Sequence, residues 1–314
     1  MKILTKAETA AYLAAHDRFA IVTHRRPDGD TLGSSAVLCR GLRQLGKAAW
    51  VLENPETTEK YAHLHAGLSK PQAEAGDCVI AVDVASENML PDRFRPLKYD
   101  LRIDHHGTAT SFTENELVEP KAAACGELVY EVLMLLGVQL DVPIANALYT
   151  AVSTDTGCFR YANTTRNTFL VAAACAEAGA ELFSLNQTLF ETHSLGRLRI
   201  QGWLVEHAIF LQNRQIAICP LPRAIEEEFG LTEDDLENIS GFPRTIEGVK
   251  IAATLRQEDA ERVKLSVRAV PSYDAGAICA KFGGGGHKGA AGASMKMTMD
   301  EAVEALKAVM PQID

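Results

Sequence analysis

Short apolar runs that end on acidic or histidine residues alternate with stretches of helical periodicity, and this alternation leaves the chain few architectures. Residues 19–23 read as a buried strand ending at His24, and residues 31–45 as a helix stopped by Gly46. Further strands are expected at residues 48–52, 78–82 and 100–103, and helices at 127–136, 144–153 and 168–178. Strands separated by helices predict an α/β fold with a mostly parallel sheet sandwiched by helices. In such sheets ligands gather at the carboxyl ends of the strands.

The pattern changes toward the C-terminus. A more polar helical stretch gives way to strand-like residues 216–219, 249–255 and 263–267, then helices at 274–282 and 300–310 around a glycine run. The expected organisation is a catalytic domain over residues 1–182, a helical linker over 183–212 and a smaller α/β domain over 213–314. The length of 314 residues fits two cores, since one core stops growing near ~250–300 residues. Seven cysteines without a CxxC pair point to reduced thiols and a cytoplasmic location. Glu8 and Asp17 interrupt any secretory apolar region, and no membrane-length apolar run is present, so no membrane partner is expected.

Four places carry candidate chemistry. They are His24, Asp28 and Asp30 in the turn after the first strand; Asp83 after residues 79–82; Asp104, His105 and His106 after residues 101–103; and Asp155 after a helix. A lone aspartate at a strand end is more often a cap or turn residue. Here three groups terminate strands of one sheet and so face one edge, where unpaired carboxylates would repel strongly. Cations relieve that repulsion, and oxygen ligands with imidazole suit manganese, magnesium or cobalt.

This set, in this order, resembles the DHH phosphoesterase superfamily, named for its Asp-His-His motif. Gly283 to Gly292, with His287 and Lys288, is similar to the signature of its associated C-terminal domain, and Phe159 to Thr164 resembles a segment of the nanoRNase/pAp phosphatase branch. The resemblance implies two metal ions, most readily Mn2+ with Mg2+ or Co2+ as alternatives, bridged by Asp83. His24 and Asp28 would complete one site, and Asp30, His105 and Asp155 the other. Asp104 would orient a histidine, and His106 would face the substrate. Two such ions can share a hydroxide for in-line attack on phosphorus. The implied substrates are short oligoribonucleotides, linear dinucleotides and pAp. A RecJ-like exonuclease and an inorganic pyrophosphatase are the alternative enzymes, and a sensor that has lost catalysis is disfavoured by the complete ligand set.

The glycine run reads either as a flexible linker or as a nest of backbone donors around a phosphate. Lys264, Ser266 and Arg268 alternate on one strand, as a solvated face or, as the resemblance implies for Arg268 and Ser266, as substrate contacts. Arg160 joins Gly284, Gly285, Gly286, His287 and Lys288 among the expected substrate contacts. A small anion-reading domain favours short ligands, and 6% aromatic content gives little basis for a stacking groove along a long strand. The net charge of −10 argues the same way, although residues 1–50 carry eight Lys/Arg against four Asp/Glu. Much of the acidity lies in residues 226–237, read as a solvated helical region. The apolar patterning is compatible with a homodimer.

Overall fold

The computed structural model describes residues 1–107 and 109–313. It divides into two compact units, Met1–Thr192 and His193–Asp314. The first holds strands β1 (Lys2–Ile3), β2 (Arg18–Val22), β3 (Ala48–Leu52), β4 (Ser69–Lys70), β5 (Cys78–Val82), β6 (Leu101–Asp104) and β7 (Asn115–Val118). Its helices are α1 (Lys6–Ala14), α2 (Gly29–Gln44), α3 (Glu59–Ala62), α4 (Cys125–Leu135), α5 (Val142–Asp155), α6 (Arg166–Glu177) and α7 (Leu182–Asn186). The strands form one sheet in the order β1-β7-β6-β5-β2-β3-β4, and every pairing is parallel.

Parallel strands covered on both faces read as unbroken apolar runs, and all five residues of β5 are buried. One face packs Phe19, Ile21, Ile80 and Ile103 against α2, α4 and α5. The other packs Ala20, Val22, Val79 and Ala81 against Leu90, Phe94 and Tyr99, which come from a segment of short 3-10 turns. Short β1, β4 and β7 are too brief to show periodicity in the sequence.

Helix α2 starts earlier than residues 31–45. Asp28 caps it, accepting bonds from the Asp30 and Thr31 amides at 3.1 and 3.2 Å, so Asp30 lies in the first helical turn rather than in a loop. Helices α2 and α5 approach through small residues. A Cβ on Gly33 would lie 2.5 Å from the Ala147 carbonyl oxygen, and one on Gly29 would strike the Thr154 side chain. Only glycine permits that approach, which brings the end of α5, with Asp155, toward the start of α2.

The stretch expected as a linker over 183–212 is divided between the units. Leu185, Leu189 and Phe190 pack on the first core. Helix α8 (Leu195–Glu206) instead buries Ile200 and Leu204 in a cluster of the second unit. Apolar residues in both halves of the stretch find a core to cover, which leaves little of it to act as a connector.

The second unit is a mixed sheet of β8 (Ile209–Leu211), β9 (Ile216–Leu221), β10 (Ile251–Asp259), β11 (Arg262–Ala269), β12 (Gly285–Gly286) and β13 (Ala290–Met295), in the order β12-β13-β11-β10-β9-β8. Helices α9 (Arg223–Glu228), α10 (Glu233–Leu236), α11 (Ala275–Ala280) and α12 (Met299–Val309) complete it. The acidic stretch is not simply solvated. Glu226 receives a two-pronged bond from Arg256 at 2.8 and 2.9 Å, and Asp235 accepts from Ser194 and Thr232, tying α10 to the start of α8.

Close helix contact makes a paired prediction. Gly33→Val should lower unfolding free energy by about 2 kcal/mol through overpacking. Gly202→Ala, on α8 with open space around it, should raise it by up to ~1 kcal/mol through helix propensity. Urea unfolding of both variants reads the opposite signs.

Candidate metal centre

Asp83 follows β5 with φ +60°, a left-handed conformation that aspartate tolerates at a cost of about 1–3 kcal/mol. Its amide donates to the Ile103 carbonyl oxygen at 2.9 Å, which holds this turn beside the end of β6. The side chain is 3% exposed, and its two oxygens face different partners. Oδ2 lies 3.7 Å from His24 Nε2; Oδ1 lies 3.5 Å from His105 Nε2 and 3.6 Å from His106 Nδ1.

Three sets of side chains converge around it. His24 Nε2 is 3.6 Å from Asp28 Oδ1, and His105 Nε2 is 3.6 Å from both Asp30 Oδ2 and Asp155 Oδ2. His24, Asp28 and Asp83 form one potential ligand set, Asp30, His105 and Asp155 a second, and Asp83, His105 and His106 a third. These separations exceed good hydrogen bonds. They match ligand atoms sharing an ion at ~2.1 Å, whose neighbours around it sit roughly 3–3.5 Å apart. Among the described residues Asp83 Oδ1 is buried without a hydrogen-bond partner, and a cation would answer it.

The other ring nitrogens are already engaged. His24 Nδ1 lies 2.8 Å from the Arg25 carbonyl oxygen, and His105 Nδ1 lies 3.1 Å from that of Ala122. Each bond directs Nε2 toward the carboxylates, the usual way a protein orients a metal-binding imidazole. Asp104 serves His106, not His105: its Oδ1 lies 2.7 Å from His106 Nδ1 and accepts the His105 amide at 2.9 Å. Asp30 does double duty. It accepts from the Cys125 and Gly126 amides at 2.6 and 3.0 Å, at the N-terminus of α4, and from Ser34 at 2.8 Å. Nothing in the sequence reading pointed to these partners, because α4 begins some ninety-five residues away.

Crowding appears in the titration of the group. Burial, then Asp30, Asp28 and Asp155, push the Asp83 carboxyl far above the usual carboxylate range. Burial followed by Asp30 pushes Asp155 up to about 7, despite the opposing pull of His105. Against the cost of burial, Asp28 raises His24, and Asp30 and Asp155 raise His105.

The segment after Asp155 is also constrained. Gly157, Cys158 and Phe159 are all left-handed, at φ of 56°, 58° and 62°. Arg160 turns back so that Nε donates to the Gly157 carbonyl oxygen at 2.6 Å. Asn163, given no role of its own in the sequence, donates through Nδ2 to the carbonyl oxygens of Asp155 and Ala123 at 3.1 and 3.0 Å.

In the second unit, Lys264, Ser266 and Arg268 are half-buried and alternate with buried Val263, Leu265 and Val267. Arg268 Nη1 donates to the Val267 carbonyl oxygen at 3.1 Å. The glycine run is neither a linker nor wholly a loop, because Gly285 and Gly286 pair with β13 as an edge strand. A Cβ on Gly284 would lie 2.2 Å from the Gly292 carbonyl oxygen, so that approach requires glycine. Strand register places Ser266, Gly292 and Gly285 in one row across three strands. His287 and Lys288 are exposed in the following turn, which the His287 amide closes on the Ala290 carbonyl oxygen at 2.8 Å.

Comparison with known proteins finds relatives of both units. Residues 18–152 match the DHH family, N-terminal domain, and residues 214–312 match the DHHA1 domain. The chain is 34% identical to the bifunctional oligoribonuclease and PAP phosphatase NrnA of Thermus thermophilus, across 93% of this chain and 89% of that protein. The structure of an exopolyphosphatase-related protein from Bacteroides fragilis shares the fold with a TM-score of 0.83 at 24% identity, covering 96% of this chain and 94% of that one. RecJ of Thermus thermophilus in complex with Mn2+ shares it more distantly, at a TM-score of 0.51 and 16% identity, covering 96% of this chain and 53% of RecJ.

Carboxylate crowding predicts an unusual pH dependence for chelator-treated protein. Folded Asp155 keeps its proton to about pH 7, whereas the unfolded chain releases it near 3.8. Between these limits the unfolded state binds fewer protons, so stability falls as pH rises. Melting in EDTA should therefore occur at higher temperature at pH 5 than at pH 7.5, and Asp155→Asn should narrow the gap. Equal melting temperatures would contradict the crowding.

Proposed function

This chain belongs to the DHH family of phosphoesterases, and on that footing we propose that it hydrolyses short oligoribonucleotides, linear dinucleotides and pAp. The observation that carries the reading is Asp83, whose two buried oxygens face separate histidine-carboxylate sets. A central carboxylate with a ligand set on each side could serve two divalent cations.

His24, Asp28 and Asp83 would hold one cation; Asp83, Asp30, His105 and Asp155 would hold the other. All donors are oxygen or imidazole nitrogen, which favours Mn2+, with Mg2+ or Co2+ as alternatives, over a thiolate-seeking metal. When bound, the ions would supply Lewis acidity toward phosphoryl oxygens and lower the pKa of water. The protein's own groups perform the remaining tasks. Asp104 fixes the His106 ring through Nδ1, which leaves Nε2 to contact phosphate or hand a proton to the departing oxygen. Arg268, with its planar fork, would bind a substrate phosphate or nucleotide, aided by Ser266, Lys288, His287 and the amides of Gly284, Gly285 and Gly286. Arg160, held after Asp155, would add a further phosphate contact.

Product analysis in Mn2+ tests the substrate class, comparing RNA dimers to pentamers with long single-stranded DNA, pAp and pyrophosphate. Preference for the short RNAs and pAp is expected; preference for pyrophosphate or long DNA would overturn it. Asp83→Ala should cut kcat by about 10^3-fold or more, corresponding to several kcal/mol of lost charge stabilisation, with the circular dichroism spectrum retained. Adding Mn2+ to metal-free protein should raise the melting temperature, by about 2.7 kcal/mol of stability at a hundredfold excess over Kd, and Asp83→Ala should lose most of that rise.

A further inference from the structure

Arg102 is 1% exposed and lies on β6 among the largest fully buried side chains of the protein. Strand alternation puts it on the same face as Asp104, opposite Leu101 and Ile103. Apolar side chains otherwise fill that side of the sheet, among them Val79, Val84, Leu90 and Phe94. A buried guanidinium is strongly unfavourable unless its donors are answered, and an apolar residue of similar volume often packs such a place at lower cost. Packing alone therefore does not explain an arginine here.

Its bonds converge on the catalytic edge. Nη1 donates to the carbonyl oxygens of Ala85 and Thr110 at 3.0 Å each and lies 3.4 Å from that of Val84. Nη2 donates to Glu116 Oε2 at 2.9 Å, directly across the β6–β7 pair. Val84 and Ala85 are the two residues after left-handed Asp83, and Thr110 lies four residues after His106. The Thr110 amide donates to the Ala85 carbonyl oxygen at 2.8 Å, so these two segments already touch where the guanidinium grips both. Asp104 Oδ2, which has no hydrogen-bond partner among the described residues, lies 3.9 Å from Nη1, while Asp104 Oδ1 holds His106.

We propose that Arg102 is a positioning residue: one buried guanidinium clamps the backbone after Asp83 to the segment after His106, and so fixes the direction of the Asp83 carboxylate and of the Asp104–His106 pair. Glu116 anchors the guanidinium from β7, and Thr113 Oγ1, 3.3 Å from Glu116 Oε1, anchors Glu116 in turn. Arg102 lies outside the three candidate ligand sets. It acts by denying the strained Asp83 turn and the His106 segment the freedom to move apart. Lysine could restore the charge but not the branched geometry that reaches Ala85, Thr110 and Glu116 together.

This inference rests on the assignment of Asp83 and His105 as metal ligands, and the test separates the two. Arg102→Met and Arg102→Lys are compared with wild type by Mn2+ calorimetry on metal-free protein and by steady-state cleavage of an RNA dimer. For Arg102→Met the expected result is a 10- to 100-fold loss in both Mn2+ affinity and kcat, the usual range for groups that orient metal ligands. KM should stay within about threefold, and Arg102→Lys should recover part of both losses. Wild-type Mn2+ affinity and kcat in a folded Arg102→Met protein would overturn the proposal. So would a kcat loss no larger than its unfolded fraction. Should Arg102→Met not fold, Glu116→Gln decides: reduced Mn2+ affinity and kcat support the clamp, and wild-type values for both overturn it. If wild-type protein binds Mn2+ but leaves the RNA dimer intact, the substrate reading fails while the calorimetry still judges Arg102. If it binds no Mn2+, the metal assignment and this inference fall together.

Discussion

Mutual repulsion among crowded carboxylates, with Asp30, Asp83 and Asp104 buried and Asp28 and Asp155 partly exposed, governs this structure. Asp28, Asp30, Asp83, Asp104 and Asp155 are gathered at one edge of a parallel sheet, and Asp83 at their centre is almost wholly shielded from water. Like charges at such distances would neutralise by protonation or push their supports apart. The fold resists by spending backbone donors on them. Asp28 and Asp30 take amides from the N-termini of α2 and α4, where the helix dipole favours negative charge. Those bonds answer part of each carboxylate and leave the rest directed at a common point, where a bound cation would relieve the repulsion.

The same economy explains the close packing behind the site. α2 supplies two acids at its start, and α5 supplies another as its last residue. Bringing those acids together places the two helices close to each other, which the missing side chains of Gly29 and Gly33 allow. Arg102 plays the equivalent part on the other face of the sheet, where a cation is held in apolar surroundings by three carbonyl oxygens and a carboxylate.

In the second unit, the proposed anion surface and the fold would share residues. The glycine run builds an edge strand whose close neighbours exclude any side chain at Gly284. Its backbone is therefore both a structural member and, by our reading, the donor surface for an anion. The acidic stretch at residues 226–237 works inward as well: Glu226 pairs with Arg256, and Asp235 joins two helices. The net charge of −10 thus counts acids that are already answered by partners, and it overstates the repulsion that a nucleotide would meet.

Periodicity and residue chemistry, both local, were enough to read the parallel α/β pattern and to single out His24, Asp28, Asp30, Asp83, Asp104, His105, His106 and Asp155. An apolar run ending on an acid or a histidine is visible without knowing what it touches. The tertiary structure decided which oxygen faces which ring, that Asp104 holds His106, that Asp30 caps a helix far along the chain, and that residues 183–212 divide between two cores. It also decided that Arg102, unremarkable in a run of strand residues, is fully buried beside the site. Each of these depends on contacts between segments distant in sequence. Such contacts follow from how α2, α4 and α5 pack over one sheet, and no local spacing records them.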